Sequence, residues 1–338
     1  MPYILHTMVE DPNKPTVIML VGLPGSGKSL FAQDFKEGQK EEFGRDWEIF
    51  SSDAMRKELF GDENIQGTPE NRELIFSTLF KRIKKHLLDG KDAIFDATNL
   101  NKRRRIHFIK QLENVPCNKG CILIATPYEE CLQNNSSRSR VVPEEVVKQM
   151  YMNFQPPHKS EGWDWIDIQY PSILHPIDTN VAKKWKDYDQ GNTHHDLSLG
   201  DHMLRAYWKV ESFWDDMNLR YATLWHDIGK PFTKTKKNKK GKIDGEAHYY
   251  QHHCVGAYDS LFYCISDDNL FLFSDFSDIL DVSNLIYYHM HPYLSWKQSE
   301  KVMKRDKELL GEEFFERVMA LHRADEAAHG GNAYGQQR

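Results

Sequence analysis

Apolar positions in the first half of the chain come in short β-branched runs separated by helical spacings. Thr16–Val21 (TVIMLV) is almost unbroken apolar sequence, the pattern of a strand buried on both faces. Leu30, Phe31 and Phe35 follow at helical intervals. Trp47–Ser51 (WEIFS), residues 93–95 (AIF) and residues 121–125 (CILIA) predict three further strands, the first ending at Asp53 and the second at Asp96. Helices are predicted over Pro69–Leu88, opened by Thr68-Pro69 and stopped by Gly90, and over residues 101–112 and 143–154. This alternation predicts an α/β unit, a parallel sheet with helices on both faces. Its ligands belong at the carboxyl ends of the strands. Residues 1–15 are a polar lead-in, and residues 170–190, rich in proline, aspartate and lysine, have no sustained period. Beyond them strand signals fade. Residues 198–214 and 219–228, the latter stopped by Gly229-Lys230-Pro231, read as helices, and so do HYYQHHCVGAY, LIYYHMHPY and LHRADEAAHG. The second half therefore predicts an all-α domain.

The first predicted strand runs into Gly-Leu-Pro-Gly-Ser-Gly-Lys-Ser, residues 22–29, and a helix follows. This is the G-x-x-x-x-G-K-[ST] phosphate loop in its required strand–loop–helix setting. Gly22, Gly25, Ser26 and Gly27 allow backbone N–H groups to turn inward around phosphate oxygens, and the helix N-terminus adds partial positive charge. Lys28 is expected to reach the β- and γ-phosphates, and Ser29 to hold Mg²⁺. Asp53 and Asp96 end strands beside the loop. A hydroxyl attacking a γ-phosphoryl needs a carboxylate to accept its proton, for which Asp53 is the candidate, with Arg56 to hold a substrate phosphate. Asp96 would serve Mg²⁺ or a substrate hydroxyl. Either Asp, following a strand, would equally suit a plain helix cap. Arg138 and Arg140, just before a predicted helix, are placed to close over the phosphates as a lid. Trp163 and Trp165 read as packing residues at the end of this unit, with an aromatic platform for stacking bases as the lesser alternative.

Composition narrows the setting. The chain has 338 residues, enough for two domains, and a net charge of -6, which does not indicate nucleic-acid binding through bulk charge. Its five cysteines form no C-x-x-C pair, and no apolar run is long enough to span a membrane, so a reducing, cytoplasmic location is expected.

GLPGSGKS, SSDAMR, IFDATNLNKRRR and SSRSRVVPEE together resemble the 5′-hydroxyl polynucleotide kinase branch of P-loop kinases, over residues 15–160. The resemblance implies ATP-dependent phosphorylation of a 5′-OH end. It makes Asp53 the general base, Arg56 the clamp on the phosphate next to the acceptor nucleotide and Arg138 a lid arginine, with Thr98 and Asn99 shaping the site behind Asp96. Lids of this branch often carry another arginine four residues earlier, where this chain has Asn134.

In the second half, imidazoles and carboxylates recur on successive predicted helices, an arrangement by which a helical bundle builds a metal site in its core. The series His202, His226-Asp227, His252, His289 and Asp325, with LSLGDH, ATLWHDIGKP, HHCVGA and RADEAA, resembles the HD phosphohydrolase superfamily over residues 192–329. The resemblance implies that His202, His226, Asp227 and Asp325 hold one metal. It further implies that His252 and His289 extend the site to a second, with His253 and His291 as neighbours able to take their places. Such ligands suit Mn²⁺, Fe²⁺, Co²⁺, Ni²⁺ or Zn²⁺, which would polarise a phosphoryl oxygen and activate a water. His195 and Lys230 are candidates to contact the substrate phosphate; Lys230 would equally be a helix-terminal charge. Lys234, Lys236, Lys237, Lys239, Lys240 and Lys242 form a basic hairpin tip, either simply solvated or a contact for a nucleic-acid backbone.

The expected domains are a P-loop kinase at 1–170, a linker at 171–191, an HD domain at 192–330 and a tail at 331–338. Together the two resemblances imply a nucleic-acid end-healing enzyme. It would phosphorylate 5′-OH ends and process 3′-phosphate or 2′,3′-cyclic phosphate ends of RNA or DNA, which a separate ligase then joins. The alternatives are a nucleoside or metabolite kinase fused to a nucleotidase, and a chain whose second half only binds.

Overall fold

The structure, a computed structural model, describes residues 11, 13–62, 67–171, 178–192, 196–210, 215–266, 269, 273 and 275–329. The chain divides into two compact units, Met1–Met150 with Pro157–Ile173, and Tyr151–Pro156 with Leu174–Arg338.

The first unit follows the alternation. It contains β1 (Thr16–Val21), α1 (Lys28–Phe43), β2 (Trp47–Ser51), α2 (Ser52–Phe60), α3 (Pro69–Leu88), β3 (Asp92–Asp96), α4 (Lys102–Gln111), β4 (Asn118–Ile124), α5 (Tyr128–Ser136), all of α6 (Glu144–Met152) but its last two residues, and β5 (Trp165–Gln169). The strands form one parallel sheet in the order β2-β3-β1-β4-β5. All six residues of β1 are buried, as a strand covered on both faces must be. Phe31, Ala32 and Phe35 of α1 pack on Ile18, Leu20, Ile94 and Ile122. β1 sits between β3 and β4, so the phosphate loop at its carboxyl end has strand ends on either side.

β5 is an addition to the sequence reading, which gave Trp165 no strand. The strand pairs with β4, with Trp165 opposite Gly120. Just before it lies a fully buried ion pair: Arg105 of α4 donates from Nε and Nη2 to Glu161, at 2.8 and 2.7 Å. Arg105 also donates to the carbonyls of Asn99 and Leu100, and Trp163 donates to Glu161. Removing one partner strands a buried charge. Arg105→Ala is therefore expected to cost about 3–5 kcal/mol, and Arg105→Lys nearly as much because an ammonium cannot bridge both oxygens. A shift of the urea midpoint, followed by tryptophan fluorescence, measures it.

The second unit contains α7 (Val181–Lys184), α8 (Leu199–Lys209), α9 (Met217–Trp225), α10 (Lys230–Thr233), β6 (Lys234–Lys237), β7 (Ile243–Tyr249), α11 (His252–Tyr263), α12 (Phe276–Tyr288), α13 (Glu300–Leu310) and α14 (Glu312–Ala328). It is helical, with one antiparallel β6-β7 ribbon where the lysine-rich stretch lies. α11 packs on α12, and α8 on α9 and α14. Arg317 of α14 ties the helices together by pairing with Asp216, which caps α9, and with Asp281 of α12. Part of the expected linker, residues 178–191, falls within this unit and includes α7 and the buried Gln190. His195 and the tail from residue 330 lie outside the described residues.

Candidate functional site

The phosphate loop is held from several sides. Gly25 adopts φ +80°, and a Cβ there would stand 2.1 Å from the Cys131 carbonyl oxygen, so both conformation and space demand glycine. Asn134, at the position where related lids carry an arginine, donates to the Gly25 carbonyl at 3.1 Å. Thr126 donates to the Ser26 carbonyl. Lys28 folds back onto the loop, donating to the Leu23 carbonyl at 2.7 Å and to Ser26 Oγ at 3.2 Å. Burial lowers its pKa to about 8, against the pull of Asp96.

Asp53 does not cap α2: Ser51 does, accepting from the N–H groups of Asp53 and Ala54. The Asp53 carboxylate instead receives three guanidiniums, Arg56 at 2.7 Å, Arg140 at 2.6 Å and Arg138 at 3.3 Å. Asp96 does not cap α4, a role taken by Asn101; it accepts from Ser29 Oγ at 2.7 Å. A loop serine beside a strand-end aspartate is the pair that holds Mg²⁺ in P-loop enzymes, so these residues fit that ion. Thr98 accepts the Gly22 N–H through its carbonyl. Asn99, fully buried at φ +46°, donates to the Leu20 carbonyl. Asn99 thus shapes the loop from behind, and among the described residues its buried Oδ1 has no hydrogen-bond partner.

The second cluster is built at helix ends. α9 ends at His226-Asp227, and α11 begins at His252. These ends meet because a glycine lets them: a Cβ on Gly229 would stand 2.2 Å from the His252 carbonyl oxygen and 2.7 Å from the Gly256 nitrogen. Gly229→Ala is accordingly expected to push α11 away, costing about 1–3 kcal/mol and weakening metal uptake. A thermal melt with and without added Mn²⁺ reads both effects.

His202 Nε2 lies 3.4 Å from Asp227 Oδ2 and 3.1 Å from Asp325 Oδ1. His226 Nε2 lies 3.2 and 3.5 Å from the same two oxygens. The other Asp227 oxygen, Oδ1, is 3.2 Å from His252 Nε2, itself 3.2 Å from His289 Nε2. One carboxylate thus serves two lobes. His226, His252 and His289 donate Nδ1–H to the carbonyls of Thr223, Tyr249 and Ile286. That fixes the tautomer and turns the Nε2 lone pairs inward, as metal-binding histidines require.

Electrostatics agree. Burial alone would raise the Asp227 and Asp325 pKa values, yet neighbouring imidazoles, and Lys230 at Asp227, hold both well below the carboxylate range. Burial works against charge on His226 too, but the two carboxylates hold it up at about 10. Burial, then repulsion from His252 and His226, lowers His289 to about 3. Converging nitrogens and carboxylate oxygens form a donor set that fits divalent transition metals, whose binding would expel the His226 proton.

The structure brings His252 and His289, not His253 and His291, to Asp227. His253 and His291 lie ring to ring at 6.4 Å, lining a separate cavity. Lys230 is buried, 2.7 Å from Asp227 and 2.8 Å from Gln190. Sequence reasoning missed His329, which joins His202 and Asp325 in one cluster and stacks on the His202 ring. Its spacing of one helical turn from Asp325 was the available signal. It also missed Tyr293, which donates to Asp325.

Residues 17–157 match the AAA domain family model, and residues 199–328 match the HD domain model. The chain joins a P-loop kinase domain to an HD domain. An L-seryl-tRNA(Sec) kinase of Methanococcus maripaludis is 29% identical over 153 residues, covering 45% of this chain and 57% of the relative. Protein kti12 of Schizosaccharomyces pombe is 21% identical over 154 residues, covering 44% and 54%. The chain thus spans about half the length of these relatives. A solved chain from a Pnkp1/Rnl/Hen1 complex is 26% identical with a TM-score of 0.32, covering 39% of this chain and 42% of that one. No helix among the described residues is long and apolar enough to cross a membrane.

Proposed function

We propose that the chain heals nucleic-acid ends, phosphorylating a 5′-OH at the Asp53 site and hydrolysing a 3′-phosphate or 2′,3′-cyclic phosphate at the His–Asp cluster. One observation carries the reading: a single chain holds a phosphate loop, an aspartate paired with three arginines, and a His–Asp cluster whose two lobes share the Asp227 carboxylate. The similarity to a seryl-tRNA kinase supports a hydroxyl acceptor borne on RNA.

In the kinase, Gly22, Gly25, Ser26, Gly27 and Lys28 would hold the ATP phosphates, and Ser29 with Asp96 would hold Mg²⁺. Asp53 takes the proton of the 5′-OH as its oxygen bonds to the γ-phosphorus and the bond to the β–γ bridging oxygen breaks, releasing ADP. Arg56 grips the acceptor's own phosphate. Arg138 and Arg140, paired with Asp53 here, swing over the transferring phosphoryl.

In the HD domain, His202, His226 and Asp325 form one lobe and His252 with His289 the other, with Asp227 between them. These residues would hold a divalent metal, which would polarise a phosphoryl oxygen and supply an activated water. Lys230, beside Asp227, neutralises a phosphate oxygen. The exposed lysines of the β6-β7 ribbon, Lys236, Lys237, Lys239, Lys240 and Lys242, offer contacts to a polynucleotide backbone. Ends so prepared suit a separate ligase.

Competition tests the substrate class. A labelled 5′-OH oligonucleotide, challenged with excess free nucleosides in the presence of ATP, is expected to keep its phosphate transfer. Loss of transfer to the oligonucleotide with phosphorylation of the nucleoside would favour a metabolite kinase fused to a nucleotidase.

A further inference from the structure

A groove of about 570 Å³ opens in the first unit between the N-terminal half of α3 and the start of α4. Neither assigned site uses it. Arg72, Arg103, Arg104 and His107 line it, beside Phe76 and a single carboxylate, Glu73. Arg104 lies over the Phe76 ring, 4.1 Å from its centroid. Among the described residues the guanidiniums of Arg72, Arg103 and Arg104 make no ion pair, although Arg82 and Arg105 nearby each hold a carboxylate. Burial, then the neighbouring Arg72, works against charge on Arg104, a cost that an anion in the groove would relieve. The groove also has an address: the loop leaving Asp96 at the end of β3 runs directly into Asn101, which lines it.

We propose that this groove carries the single-stranded polynucleotide on the 3′ side of the 5′-OH nucleotide. Phosphates lie on Arg72, Arg103 and His107, and a base stacks on the Arg104–Phe76 pair. Unpaired arginines supply the backbone attraction and a guanidinium already stacked on an aromatic ring supplies a platform any base can use, the two parts of a sequence-tolerant single-strand site. A compact phosphorylated metabolite would leave the platform idle. The inference rests on the kinase reading above.

The test uses the full chain with ATP and Mg²⁺ and two 5′-OH RNAs, a dinucleotide and a strand of about twelve nucleotides. The wild type is expected to prefer the longer strand by about 10-fold or more in kcat/KM, mostly through KM. In the Arg72→Ala/Arg103→Ala variant that ratio falls toward one, and the salt dependence of KM for the long strand flattens by about 0.7 in log–log slope per lost phosphate contact. Both positions are exposed, so the fold should survive, which a melt confirms. Arg103→Lys, which keeps the charge, retains part of the preference. Equal kcat/KM for the two lengths in the wild type, or an unchanged ratio in the double variant, overturns the groove while the 5′-OH kinase stands. A wild type that phosphorylates neither RNA overturns both.

Discussion

Asp227→Ala is expected to lower phosphoester hydrolysis by about a thousand-fold or more. The reason is its double use. Its Oδ2 faces His202 and His226, and its Oδ1 faces His252. Losing it opens both lobes at once and leaves Lys230 without its carboxylate. His289→Ala touches one lobe and should cost less. Metal content of the purified proteins, measured beside the rate, separates a metal defect from a catalytic one. Asp227→Ala should lose bound metal, and the rate should not return when Mn²⁺ or Ni²⁺ is added. Full activity in this variant would mean that the cluster is structural.

Asp53→Asn should lower phosphate transfer by about 10²–10⁴-fold, the range expected for a lost general base. Asparagine keeps size and an oxygen near Arg56, Arg138 and Arg140 but cannot take a proton. The loss should therefore fall on kcat with little change in KM for the 5′-OH strand. Arg56→Ala makes the contrast, since a clamp on the acceptor's phosphate should act through KM. A loss below about 10-fold in Asp53→Asn would reduce Asp53 to a partner that merely orders the arginines.

How much of this was legible in the sequence depends on whether the signal was local. The phosphate loop was, because the strand period, the glycines and the Lys-Ser pair lie in one stretch. β5 was not. Trp165–Gln169 carries Asp167 mid-strand and lies at the sheet edge, so its identity depends on pairing with the distant β4. The lysine-rich stretch read as a hairpin tip, but the strands β6 and β7 that flank it did not show in a half read as all-α, since lysines are poor strand formers. Asp53 and Asp96 stayed ambiguous because a strand-end Asp suits a cap as well as a site; Ser51 and Asn101 do the capping. His252 and His253 are neighbours on one helix and point about 100° apart. Which one reaches Asp227 was set by where Gly229 lets α9 and α11 meet, a tertiary fact with no local signature.

The most direct measurement takes one RNA with a 5′-OH and a 2′,3′-cyclic phosphate, incubated with ATP, Mg²⁺ and Mn²⁺, and follows both ends. The wild type should phosphorylate the 5′ end and open the cyclic phosphate. Lys28→Ala should lose only the first reaction and Asp227→Ala only the second. A wild type that leaves both ends untouched while phosphorylating a nucleoside or a small alcohol would contradict the account.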